Sequence, residues 1–162
     1  MGYGMCPYVS GLVESFGLKP GMTVVDYGCG PGRYTVDMAR LSGQEGKTIA
    51  VDLSERALRV AEKRVSDMGL DLDSVVFKLA RGYNTGLPDG TADMVCAIDV
   101  FHMVNSELFS EESFRITNPK GRLVISGGHQ SRNSTKREIA ESGLWELEEE
   151  TGYFMKFRKI RL

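Results

Sequence analysis

The sequence has no basic excess: 20 Lys+Arg stand against 22 Asp+Glu, a formal net charge of −2. That removes the electrostatic footprint expected of a nucleic-acid binder. It has no Cys-x-x-Cys pair. Its 3 cysteines, Cys6, Cys29 and Cys96, lie far apart, so neither a zinc ribbon nor a dithiol redox motif can be built locally, and no metal site is expected. No stretch reaches the ~18 continuous apolar residues of a membrane span. Residues 1–9 combine no basic start with an apolar run, so a cytoplasmic protein without a membrane anchor is expected. Internal repeats and low-complexity tracts are also absent.

What is present is an ordinary globular composition, 41% hydrophobic and 26% charged, in 162 residues. That length implies one domain over residues 1–162, large enough to fold on its core alone. The one surplus is glycine: 19 residues, about 12% against a usual ~7%.

Short β-like runs alternate with helical periods. Thr23–Asp26, Lys47–Asp52, Val75–Phe77, Ala92–Asp99 and Arg122–Ser126 read as strands. Helices are expected over residues 32–41, 55–68, 111–117 and 135–142, each ended by Gly or Asn-Pro. Residues 81–90 read as loop. Two last strands, over 145–150 and 153–160, turn at Thr151-Gly152, so the basic end can pair with Glu146–Glu150 across the hairpin. The expectation is α/β: a Rossmann-like doubly wound, mostly parallel seven-stranded sheet closed by an antiparallel C-terminal hairpin.

Asp26-Tyr27-Gly28-Cys29-Gly30-Pro31-Gly32 joins the first strand to the first helix. Glycines there let a ligand approach the backbone, and the helix N-terminus offers unpaired N–H groups. Asp52 ends the second strand 20 residues after Gly32, where an acid can bond to a ribose. A dinucleotide loop would want G-x-G-x-x-G, but its third glycine position is Arg33.

G-x-G-x-G after an acid resembles the first motif of class I S-adenosylmethionine-dependent methyltransferases. "IAVDLSERALRVAEKR", "LPDGTADMVCAIDVFHMV" and "RITNPKGRLVIS" resemble later segments of that family in the same order. The similarity spans residues 17–143 and is greatest to small-molecule enzymes of the ubiquinone/menaquinone-biosynthesis type.

The resemblance implies S-adenosylmethionine as cofactor and S-adenosylhomocysteine as product. It implies that Gly28 and Gly30 approach the methionine and sugar, and that Asp26 orients the loop and holds the amino group. Asp52 would bind the ribose hydroxyls, Leu53 the adenine face, and Asp99 the methionine end or the acceptor. Tyr27, Cys29, Gly32 and Arg81 complete the implied cofactor set.

His102 is the implied base, with His129 second, and Tyr3 and Tyr8 could form a lid. One departure stands out: Ala80-Arg81-Gly82-Tyr83-Asn84 has no acid where the family often has one, leaving backbone groups or Asn84 to substitute. Asp99-Val100-Phe101-His102 lacks the Pro-Pro-aromatic motif of enzymes that methylate nucleic-acid amines. The implied partner is a small-molecule acceptor, with no nucleic acid or membrane, and a homodimer could complete the short substrate site. A cofactor-binding subunit without catalysis and a nicotinamide-dependent oxidoreductase are the alternatives.

Overall fold

Each β-branched run becomes a strand in the computed structural model, which describes residues 7–128 and 130–161. In chain order the elements are α1 (Pro7–Ser15), β1 (Thr23–Tyr27), α2 (Arg33–Ser42), β2 (Lys47–Asp52), α3 (Glu55–Asp67) and β3 (Val75–Leu79). Then come β4 (Ala92–Ile98), α4 (Ser106–Ile116), β5 (Thr117–Ser126), α5 (Arg132–Glu141), β6 (Trp145–Glu150) and β7 (Phe154–Lys159). One seven-stranded sheet holds them in the order β3-β2-β1-β4-β5-β7-β6. The first five strands of that row are parallel, and β7 pairs antiparallel with both β5 and β6. The expected sheet and its C-terminal hairpin are therefore present. The strand order reverses between β1 and β4, the place where open α/β sheets form a ligand crevice.

Side chains alternate across this sheet. Val25, Val95, Ala97, Leu123 and Ile125 face Phe109, Ile116 and Ile139 of α4 and α5. Val24, Met94, Cys96 and Val124 face Val13 and Phe16 at the N-terminal end and Met38 of α2. α1 is an element that the turn-based reading passed over, although Leu12, Val13 and Phe16 carry a helical spacing. It packs on the sheet face that α2 shares.

Helix starts differ most from expectation. α4 begins at Ser106 because Asn105 caps it, its Oδ1 accepting from Leu108 N at 3.0 Å. α5 begins at Arg132 because Ser131 caps it in the same way. Pro119 does not separate helix from strand. β5 starts at Thr117, and residues 118–121 form an irregularity between the Ala92 and Met94 pairings, where a proline removes no ladder bond.

At the sheet edge, Arg158 Nη2 lies 2.7 Å from Glu146 and Lys156 Nζ 3.3 Å from Glu149. Arg122 holds Glu148 with two hydrogen bonds of 2.7 and 2.9 Å. The basic end thus neutralises the acidic run, and the charged β6 discourages further strand addition. Among the described residues, no helix is long and apolar enough to cross a membrane, and no His/Cys/Asp/Glu group is arranged to hold a metal ion.

Candidate functional site

The crevice begins with backbone hydrogen bonds at the carboxyl ends of β1, β2 and β3. Gly28 N and Cys29 N both donate to Val51 O, at 2.8 and 2.9 Å, tying the glycine loop to β2. Gly30 N donates to Asp52 Oδ2 and Ser54 N to Asp52 Oδ1, each at 2.9 Å. Asp52 thereby clamps the loop to the start of α3, while its own carbonyl accepts from Ala80 N at 2.9 Å. Three loops are stitched together around one residue, two through its carboxylate and one through its carbonyl.

Above them lies a cavity of about 560 Å³. Tyr27, Gly28, Gly30, Asp52, Leu53 and Asp99 of the expected residues line it. Leu53 is 66% exposed and Met103, also in the lining, 69%. Large apolar side chains left open in a concave site suit a ligand with flat apolar faces. The tyrosine and valine side chains of Tyr83, Val100 and Val104 continue that lining.

The other expected residues lie elsewhere. Asp26 is only 2% exposed and sits under the loop, where Thr35 Oγ1 donates to its Oδ2 at 2.7 Å. Burial pushes its carboxyl up to about 6, partly offset by that hydrogen bond and reinforced by the charge of Asp52. Cys29 packs among Ala50, Leu58 and Ala61, and burial pushes its thiol up, so it acts as a small core side chain. Gly32 is a packing position: a Cβ there would lie 2.7 Å from Ala61 Cα on α3.

Arg81 is exposed and absent from the lining; its backbone bridges to Asn84. Asn84 is also absent from the lining, and its Oδ1 accepts from Gly86 N at 2.8 Å and shapes its own turn. Gly82 and Tyr83 take the place on the lining instead. His102, in the single turn Phe101–Met103, also misses the lining, with Nδ1 directed at Gly128. His129 and Tyr3 lie outside the described residues, and Tyr8 lies in the first turn of α1.

Asp99 is the one described non-glycine residue with positive φ, at +58°. Such a conformation persists only where the surroundings hold it. Its Oδ1 accepts from Gly128 N at 2.9 Å. Beside it opens a second cavity of about 440 Å³, which shares Tyr34, Ile98 and Asp99 with the first. Tyr34 lies in the first turn of α2. Burial and the charge of Asp99 raise its phenol above the usual range. Position alone, two residues after the loop, is the available sequence signal for it.

The family model described as a methyltransferase domain matches residues 18–157. The ubiquinone/menaquinone biosynthesis C-methyltransferase UbiE of Hydrogenovibrio crunogenus is 27% identical over 114 residues, 70% of this chain and 44% of that protein. Methyltransferase GfsG of Streptomyces halstedii is 34% identical over 116 residues, 71% of this chain and 41% of that one. A crystal structure of a SAM-dependent methyltransferase from Aquifex aeolicus superposes with a TM-score of 0.79 at 25% identity, covering 92% of this chain and 87% of that one. The chain spans about half the length of the curated relatives it matches.

Proposed function

The chain belongs to the methyltransferase-domain family, and from that premise we propose that it binds S-adenosylmethionine in the larger crevice and methylates a small-molecule acceptor. The observation that carries this reading is the Asp52 clamp beneath an open apolar wall. A carboxylate offers about four lone-pair sites. Two of them take Gly30 N and Ser54 N, which leaves capacity for ribose hydroxyls. Leu53 supplies an exposed apolar surface for the adenine ring, with Tyr83 and Met103 on the same lining. The buried carboxylate of Asp26 lies under the loop, so a cationic ligand above it gains from its charge without touching it.

The cofactor, when bound, supplies a methyl group already activated on a sulfonium centre. The chain's own residues therefore bind, orient and shield. Asp99 is placed at the junction of the two cavities, where an acceptor and the methionine end would meet. A seated acceptor in the smaller cavity would displace water from that junction.

Thermal unfolding tests the reading. S-adenosylhomocysteine at about 100 times its Kd is expected to add about 2.7 kcal/mol of stability. For a domain of this size that raises Tm by roughly 5–10 °C. NAD at the same concentration is expected to leave Tm unchanged. The reverse preference would replace this reading with a nicotinamide-dependent one. Transfer of a labelled methyl group by the isolated chain, on its acceptor, separates an enzyme from a binding subunit.

A further inference from the structure

The smaller cavity has two chemically different groups on its lining. The Asp99 carboxylate rests against Gly127, where a Cβ would fall 1.9 Å from Oδ1, and accepts from Gly128 N at 2.9 Å. That seat exists only because residue 127 has no side chain, and it fixes a carboxylate beside the larger crevice. A fixed carboxylate accepts hydrogen bonds from N–H and O–H groups and can take their proton.

Gln130 is the second lining group. Its amide Nε2 is buried and has no hydrogen-bond partner. A buried donor without an acceptor is destabilising, a penalty that an oxygen from a ligand would remove. Arg132 stands nearby but is committed to the β6–β7 turn. Its guanidinium donates to Thr151 O and Gly152 O, and Glu150 lies 3.8 Å away. Ile125, Phe154 and Met155 give the same cavity an apolar component. Its volume of about 440 Å³ sits toward the lower end of small-molecule sites.

Resting on the cofactor reading above, we propose that this cavity selects a compact acceptor with an N–H or O–H nucleophile at one end and a carboxylate or amide oxygen at the other. Asp99 receives the proton-bearing end, and Gln130 Nε2 donates to the oxygen. A long-tailed acceptor with no such oxygen would leave that donor buried and unpaired, so Gln130 is a specificity-determining residue.

Equilibrium binding tests this without turnover. S-adenosylhomocysteine is titrated first by calorimetry; if it does not bind, the cofactor reading falls and this inference falls with it. With S-adenosylhomocysteine saturating, two matched pairs of probes are compared: β-alanine against propylamine, and 4-hydroxyphenylacetate against 4-methylphenol. The carboxylate member of at least one pair is expected to bind ten-fold or more tightly than its partner. Gln130→Leu is expected to erase that difference, and Gln130→Glu to reverse it by repelling the carboxylate. Both variants are expected to retain the wild-type Kd for S-adenosylhomocysteine, which reports that they are folded. Equal binding within both pairs, no binding by any of the four probes, or a preference that survives Gln130→Leu would each overturn the proposal while leaving the cofactor reading intact.

Discussion

Asp26→Asn is expected to stabilise the free protein at pH 7.5 by about 3 kcal/mol and to weaken its binding of S-adenosylhomocysteine at least ten-fold. The carboxyl is held at about 6 by burial, whereas an unfolded Asp titrates near ~3.9. Between those values the folded chain keeps a proton that the unfolded chain has lost. Stability therefore falls as pH rises from about 4 to 6. Above that window the full penalty of a charge in a 2%-exposed site is in force. Two pKa units at 1.36 kcal/mol each give the ~3 kcal/mol.

Asparagine removes the charge but keeps an oxygen for Thr35 Oγ1, so the network beneath the loop survives. Urea unfolding at pH 4 and pH 7.5 checks the first half. The variant's advantage is expected at pH 7.5 and absent at pH 4. Calorimetric titration checks the second half, since the ligand's amino group loses the charge beneath it. A variant less stable than the parent at pH 7.5 would mean that the buried carboxylate is a net stabiliser, and the opposition between stability and binding would not hold.

The fold was readable wherever one local pattern decided the outcome. Lys47–Asp52 is one uninterrupted strand run and is β2 residue for residue, and Ser54 with the period behind it marks α3. The misses share a different cause. Asn105 and Ser131 are ordinary loop residues until their side chains turn back onto N–H groups, so α4 and α5 begin earlier than their apolar periods suggest. The break at Pro119 was expected from local chemistry, but pairing with β4 carries the strand across it.

The site divides in the same way. Asp52 and Leu53 follow from a strand end and a neighbouring loop. Arg81 and His102 each sit one residue from a lining position, Gly82 and Met103, and which neighbour faces the cavity depends on turn geometry rather than composition. Gln130 carries no motif at all. Only the fold of the segment after β5 reveals that its amide is buried.

The glycines of the loop make the same point, and their substitutions are expected to fail in different ways. Gly32 has φ +84°, and a Cβ would lie 2.7 Å from both Cα and Cβ of Ala61. The first feature costs a non-glycine residue about 1–2 kcal/mol. The second drives a methyl into the backbone of α3, an overpacking worth typically about 1–3 kcal/mol. Gly32→Ala is expected to lose about 2–5 kcal/mol in urea unfolding, as α2 and α3 are pushed apart. Gly30 has φ +53°, close to the left-handed minimum, and a Cβ there meets nothing within 4 Å.

Its open side belongs to the cavity lining, and its N–H is the one held by Asp52. Gly30→Ala is therefore expected to lose only about 1 kcal/mol of stability, while the added methyl occupies ligand space and lowers S-adenosylhomocysteine affinity ten-fold or more. Measured side by side, the two variants separate a glycine that lets helices meet from one that lets a ligand approach. Equal stability losses, or an unchanged Kd in Gly30→Ala, would show that the loop does not divide its work in this way.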